Sequence, residues 1–144
     1  EDIRSAGARI RLIGDGDVAG GINAARHNAP TDMCIGIGGS PEGIVTACAI
    51  KALGGHIQGR MAPGDDAERQ RGIDAGLKMD YVYEADELVR GNNTIFVATG
   101  VTDGQLVSGV RREGNWVYTE SVVLRGASGT LRRVSSEHLL SKWN

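Results

Sequence analysis

The stretch Gly36-Ile37-Gly38-Gly39-Ser40-Pro41-Glu42-Gly43 joins one apolar run, 32–37, to a second that follows its proline. Glycine lets a backbone approach a bound group closely, and proline is favoured in a first helical turn, where its missing N–H costs nothing. The stretch therefore predicts a strand over 32–37, a glycine-rich loop and a helix over 41–53. Glu42 falls in the first turn of that helix, where the dipole favours negative charge, and is placed to hold a cation.

A second strand-to-helix turn is predicted at Gly14-Asp15-Gly16-Asp17, which follows the apolar run 8–13 and opens a helix over 18–28. In a parallel sheet with helical crossovers, such turns gather at the carboxyl ends of the strands, where open α/β folds bind ligands. The first half of the chain is therefore expected to be a βαβα unit. We expect Asp15, Asp17 and Glu42 to meet at one cleft.

Residues 14–19 also match the dinucleotide fingerprint G-x-G-x-x-A. A dinucleotide site offers bare N–H groups to a pyrophosphate, whereas Asp15 and Asp17 would set two negative charges against it. Such repulsion costs several kcal/mol at an effective dielectric of about 20, so NAD binding is disfavoured. Two alternatives stay open: the carboxylates bind sugar hydroxyls or a metal, or Asp17 is only an N-cap and Asp15 a turn residue.

Glu42 also has a plainer interpretation, as a first-turn acid that only complements the helix dipole. The surrounding glycines favour a binding role, because a surface helix start does not need so much backbone freedom. A hard cation such as Mg²⁺ or Mn²⁺ suits an all-oxygen site, and one glutamate cannot hold it alone. The loop 98–104 either faces the same cleft or is a tight turn held by Asp103, and the turn is favoured.

Composition bounds the class of protein. A chain of 144 residues, 40% of them apolar, is expected to be a single α/β domain over 1–144 with one core. A net charge of −2 without a basic tract argues against a nucleic-acid partner. No apolar run approaches the roughly 20 residues of a membrane helix and no signal peptide opens the chain, so we expect no membrane partner and a cytoplasmic location. Cys34 and Cys48 are expected to be buried free thiols.

The remaining pattern predicts an α/β fold with a mixed β-sheet flanked by helices on both faces. Alternating or β-branched runs predict further strands over 56–61, 94–98, 105–112, 116–125 and 130–134. Helices are predicted over 65–75 and 86–89, and a hairpin turn at 113–115. Residues 137–144 are predicted to be a polar tail that frays.

Four blocks in order resemble the class II (GlpX-type) fructose-1,6-bisphosphatases, over nearly the whole chain. The blocks are 14–19, 36–43, 98–104, and Ser128-Gly129-Thr130 followed by Arg132. The resemblance implies the C-terminal domain of the sugar-phosphatase fold shared with inositol monophosphatase. Together with a first residue that is not methionine, it leads us to expect the C-terminal domain of a longer, two-domain phosphatase.

The resemblance also implies a function and roles for site residues. It implies Mg²⁺- or Mn²⁺-dependent hydrolysis of the 1-phosphate of fructose 1,6-bisphosphate, in gluconeogenesis or Calvin-type metabolism, with sedoheptulose 1,7-bisphosphate as an open second substrate. Asp15 and Asp17 would contact the sugar hydroxyls, Gly39 would lie against the substrate, and Glu42 would ligate the metal.

The family's other metal carboxylates and its phosphate-binding arginines match no residue of this chain. The resemblance therefore implies that the N-terminal half of the same enzyme is a partner, that the complete enzyme is a homo-oligomer, and that this piece alone is inactive. The competing hypothesis is an autonomous, non-catalytic module that binds sugar phosphates with the same turns.

Overall fold

A computed structural model describes residues 1–143. In that range the chain forms five α-helices and six β-strands. The helices are α1 (Asp2–Ser5), α2 (Asp17–Ala25), α3 (Ser40–Ala52), α4 (Asp66–Asp74) and α5 (Ala85–Leu88). The strands are β1 (Gln58–Arg60), β2 (Val82–Glu84), β3 (Ile95–Thr99), β4 (Arg111–Glu113), β5 (Trp116–Arg125) and β6 (Thr130–Leu139). Short 3₁₀ turns follow β5 at Gly126–Ser128 and β6 at Leu140–Lys142.

The strand β5 is the centre of the larger sheet. Along one edge it pairs with β6 over its whole length, from Trp116 opposite Leu139 to Arg125 opposite Thr130. Along the other edge it pairs with β3 at one end and β4 at the other. A separate two-stranded sheet joins β1 to β2. Every strand pair in residues 1–143 is antiparallel.

The core lies between the larger sheet and the helices α2 and α3. Ile22 of α2 and Ala49 of α3 are fully buried, and they belong to the same apolar cluster as Val122 and Leu124 of β5. Phe96 of β3 joins this cluster. Alternate residues of β3 therefore point toward the helices, as the two-residue period of a strand requires.

The predicted α/β class is confirmed, since helices pack on a sheet within one chain. Several elements also lie where the sequence predicts them. They are the helices near 65–75 and 86–89, the strands near 94–98 and 116–125, and the β4–β5 hairpin.

The strands predicted over 8–13 and 32–37 are wrong: both segments are irregular, and the parallel βαβα unit is absent from residues 1–143. Their apolar patterns are those of strands, but neither segment pairs with another strand in the described part of the chain. Cys34 is consequently exposed, which corrects the predicted buried thiol, while Cys48 on α3 is half-buried.

Two boundaries in the second half also differ from the sequence prediction. The strand predicted over 105–112 is reduced to Arg111–Glu113, because the preceding residues fold back as a loop. The sequence predicts a tail that frays from residue 137. This prediction is wrong for residues 137–139, because β6 stays paired with β5 as far as Leu139. Asn144, the last residue of that predicted tail, lies outside the described residues. None of the helices in residues 1–143 has the length and apolar character to cross a membrane.

Candidate functional site

The two glycine-rich turns meet at one open pocket of about 470 Å³. All four residues singled out from the sequence line it: Asp15 and Asp17 from the first turn, Gly39 and Glu42 from the second. The rest of the lining is Gly14, Gly16 and Val18. The structure thus brings together residues that two separate loops contribute, while their roles stay predictions.

The first turn is shaped by Gly16, which precedes α2 with φ +80° and ψ +35°. This left-handed conformation is cheap only for glycine, and it lets the chain turn from the irregular segment into the helix. Gly16 is the N-cap residue, so Asp17 is the first residue inside the first turn of α2. The interpretation of Asp17 as an N-cap is therefore wrong, and its carboxylate is available to the pocket.

The second turn holds two carboxylates against bare backbone. A Cβ atom placed on Gly38 would lie 2.7 Å from Oδ2 of Asp17, and one placed on Gly39 would collide with Oε2 of Glu42. The glycine pair therefore allows both carboxylates to lie close to the backbone, and neither glycine has a positive φ. Sequence reasoning singled out Gly39 but not Gly38, although the Gly-Gly doublet was the signal for both.

Glu42 lies in the first turn of α3, which begins at Ser40 with Gly39 as its N-cap. The helix starts one residue earlier than predicted, with Pro41 still in the first turn. The backbone carbonyl of Glu42 accepts a hydrogen bond from Thr46 Oγ1 at 2.7 Å, and Thr46 is buried. This bond fixes the turn that carries the carboxylate at the edge of the core.

The lining of the pocket contains three carboxylates and no basic side chain. Within residues 1–143, no ion pair involves any of the three. Unpaired carboxylate oxygens suit hydroxyl donors and hard cations and oppose phosphate groups. The same residues contain no group of three or more His, Cys, Asp or Glu side chains close enough to hold a metal ion, so a cation here needs ligands from elsewhere.

The third loop, 98–104, does not line this pocket. Oδ1 of Asp103 accepts a hydrogen bond at 2.8 Å from the backbone N–H of Gly109, a residue beyond the loop, so the tight turn within 98–104 stays a prediction. Beyond this loop, Glu120 of β5 accepts a hydrogen bond from the backbone N–H of Ser108 at 2.6 Å. That hydrogen bond and the neighbouring Arg133 guanidinium keep the pKa of Glu120 below its usual range.

Comparison with known proteins gives one consistent result. The family profile described as "Bacterial fructose-1,6-bisphosphatase, glpX-encoded" matches residues 1–138. "Fructose-1,6-bisphosphatase class 2" of Haemophilus influenzae is 39% identical, over 97% of this chain and 46% of that protein. "Fructose-1,6-bisphosphatase 2 class 2" of Escherichia coli is 38% identical, over 96% of this chain and 47% of that protein. "Fructose-1,6-bisphosphatase 1 class 2" of Escherichia coli is 37% identical, over 98% of this chain and 46% of that protein. The chain spans about half the length of these curated relatives.

Proposed function

Because the chain belongs to the glpX-encoded family of bacterial fructose-1,6-bisphosphatases, we propose that it is the substrate- and metal-binding, C-terminal part of such an enzyme. The reaction is hydrolysis of the 1-phosphate of fructose 1,6-bisphosphate to fructose 6-phosphate and phosphate, in cytoplasmic gluconeogenic or Calvin-type metabolism. The observation that carries the proposal is the pocket, where two loops place Asp15, Asp17, Gly39 and Glu42 together.

Asp15 and Asp17 accept hydrogen bonds from the hydroxyl groups of the sugar. Their unpaired carboxylates fit hydroxyl donors, and the carboxylate of Asp17 lies close to the backbone of Gly38 in the second turn. Gly39 has no side chain, so its backbone can lie against the substrate at the start of α3. These residues raise the rate by positioning the substrate rather than by transferring a proton.

Glu42 holds part of the coordination shell of Mg²⁺ or Mn²⁺. Its carboxylate oxygens and its first-turn position suit a hard cation. Residues 1–143 contain no three-residue ligand group, and in this proposal the N-terminal half of the enzyme supplies the other ligands. The chemistry that a divalent cation supplies to phosphoryl transfer is neutralisation of charge on the phosphoryl oxygens. The complete enzyme is a homo-oligomer.

The direct test is phosphate release by a chimera in which this chain replaces the matching part of the Haemophilus influenzae relative. We expect the chimera to hydrolyse fructose 1,6-bisphosphate with Mn²⁺ or Mg²⁺, and the 144-residue chain alone to release no phosphate, because it lacks most of the metal ligands. Sedoheptulose 1,7-bisphosphate is assayed beside it as a second substrate. Turnover by the chain alone would overturn this division of labour, while sugar-phosphate binding by the chain without turnover in the chimera would favour the non-catalytic module.

A second expected result concerns NAD. The turn at 14–19 matches the dinucleotide fingerprint, but its two aspartates line an acidic pocket with no basic residue to offset them. We therefore expect titration calorimetry of the chain with NAD and with NADP to show no binding up to millimolar concentration. Micromolar affinity for either cofactor would contradict the assignment of Asp15 and Asp17 to sugar hydroxyls.

A further inference from the structure

The strand β6 is an edge of the larger sheet, and it is ten residues long. Within residues 1–143 it pairs with β5 alone, and its sequence contains no proline that would prevent further pairing. A long edge strand presents a row of unpaired N–H and C=O groups that can pair with another chain. The middle of this edge is open to solvent, because Arg133, Ser135 and Glu137 are all exposed. Its length and exposure make β6 a surface for strand pairing.

The hydrogen bonds around β6 show which of its backbone groups point outward. In an antiparallel pair, the N–H and C=O groups of alternate residues point to the same side of the strand. The N–H of Leu140, directly after β6, donates to the C=O of Asn115 at 2.9 Å, so the even-numbered residues of β6 face β5. The N–H of Gly100 donates to the C=O of Glu120 at 3.0 Å, which turns the even-numbered residues of β5 toward β3 and leaves its odd-numbered residues for β6. The backbone groups of the odd-numbered residues of β6 therefore point away from the sheet.

The side chains of the same odd-numbered residues share the side of the sheet on which the helices lie. Leu131 is opposite Leu124 of β5 and packs against the core, and side chains two residues apart along a strand lie on the same face. The residues on this face of β6 are, in order, Leu131, Arg133, Ser135, Glu137 and Leu139. The series is symmetric in size about its central serine, with a leucine at each end, and opposite in charge at the two positions between.

We propose that β6 pairs antiparallel with β6 of a second copy of this chain, about a two-fold axis that passes through Ser135. The inference rests on the proposed function for the homo-oligomer and names the edge that forms it. In this register Leu131 lies opposite Leu139 and Arg133 opposite Glu137, and two-fold symmetry makes each of these pairs twice. All paired residues have outward-pointing backbone groups, so the two four-stranded sheets become one continuous sheet with their helices on the same side.

The neighbouring registers are less favourable, which is what singles out the axis at Ser135. Moving the axis to Arg133 or to Glu137 would set like charges directly opposite each other, which destabilises an antiparallel pair. Moving it by a single residue would set Glu137 opposite Leu131, or Arg133 opposite Leu139. A shift that paired odd-numbered with even-numbered residues is excluded, because only the odd-numbered ones present free backbone groups.

Both charged residues are prepared for this contact. The guanidinium of Arg133 donates to the backbone carbonyl of Leu106 at 2.7 Å and lies 3.0 Å from a carboxylate oxygen of Glu120, so it is held at the edge. Both of these bonds use one nitrogen, Nη1, and the other donors of the guanidinium stay available. No ion pair within residues 1–143 involves Glu137. A second copy therefore supplies the partner that this carboxylate lacks in the described chain.

The first test places a cysteine at the proposed axis. Ser135→Cys is made in the chimera together with Cys34→Ser, because the thiol of Cys34 is exposed. Facing residues of a hydrogen-bonded antiparallel pair have Cα atoms about 5.5 Å apart, which a disulfide spans. We therefore expect oxidised glutathione to link two copies into a covalent dimer on a non-reducing gel. The matched control is Ser136→Cys, which lies opposite Val134 of the second copy rather than opposite itself and should give only background linking.

The second test reverses one charge. Glu137→Arg sets arginine opposite Arg133 at both places of the interface, and we expect sedimentation equilibrium to show an association constant of the chimera at least 10-fold lower. The matched control is Asp74→Arg, which makes the same change of charge at an exposed position at the C-terminal end of α4, where the helix dipole favours a positive charge. It should leave the association unchanged. Circular dichroism of both variants checks that the fold is retained.

Three results would overturn the proposal. The Ser135→Cys variant links no faster than Ser136→Cys; the Glu137→Arg variant associates as tightly as Asp74→Arg; or peptide mapping finds the new thiol joined to the N-terminal half of the chimera, which makes that half the occupant of the edge. The readout is assembly and not turnover. A chimera that links through residue 135 but releases no phosphate therefore contradicts the proposed function alone, whereas an active chimera that does not link contradicts this interface alone.

Discussion

Replacing Glu42 with glutamine in the chimera is expected to lower the rate of phosphate release by roughly 100-fold or more. Glutamine keeps the size of the side chain and one carbonyl oxygen but removes the negative charge that a divalent cation requires. Glu42 lines the pocket from the first turn of α3, and no ion pair within residues 1–143 involves its carboxylate. The rate is measured across a Mn²⁺ titration, where loss of a ligand also raises the metal concentration for half-maximal activity.

The alternative role of Glu42, complementing the helix dipole, predicts a different outcome. Loss of a dipole interaction costs about 0.3–1 kcal/mol of stability and leaves the rate nearly intact. Asp66→Asn is the matched control, because Asp66 is also a first-turn acid, on α4, and does not line the pocket. Near-normal activity of Glu42→Gln at every metal concentration would show that the glutamate is structural and that the metal assignment must be withdrawn.

The strands that the sequence placed correctly are those whose pairing partners lie in this chain. Residues 116–125 were predicted over their full length, and they pair with β3, β4 and β6. Residues 8–13 and 32–37 carry equally strong apolar patterns, yet they form no strand in the described structure. Local pattern reports what a segment can form, whereas a strand also needs a neighbour, and no window of sequence shows whether one is present.

The last strand shows the opposite error, because it is longer than predicted. The residues from Glu137 onward were predicted to fray, but Glu137, His138 and Leu139 continue the pairing with β5. His138 also accepts or donates a hydrogen bond with Thr119 at 3.0 Å, depending on its tautomer, and its ring lies 5.0 Å from that of Trp143. These contacts join residues distant in sequence or beyond the predicted strand, so polarity alone gave the wrong boundary.

The candidate site was more predictable than the sheet, because its signals are local. Glycine-rich turns that open a helix are recognisable from a few residues, and both predicted turns line the pocket. The contact between Asp17 and Gly38 was not predictable, since it joins two loops whose spacing depends on how α2 packs on α3. The three carboxylates of the pocket do not lie close enough together to form a metal site by themselves in the described residues. This too depends on three-dimensional distances, which spacing in the sequence does not give.

Replacing Gly39 with alanine is expected to lower the rate of phosphate release by the chimera roughly 100-fold, while the fold stays stable. The backbone at Gly39 has φ −66° and ψ +147°, which alanine adopts without strain, so the fold should be retained, although alanine is less favourable than glycine at an N-cap. The new methyl group, however, would occupy the place of Glu42 Oε2. The carboxylate end is flexible and moves cheaply, but it then leaves the position proposed for metal binding.

The matched control is Gly43→Ala, which follows Glu42 in α3 and adds a methyl group that meets no atom within 4 Å. It should keep the activity and raise the free energy of unfolding, because alanine is favoured over glycine in a helix. Thermal unfolding and phosphate release are measured for both variants and the parent. If Gly39→Ala retains the activity of Gly43→Ala, then the position of the Glu42 carboxylate does not matter to the reaction, and the pocket is not the active site.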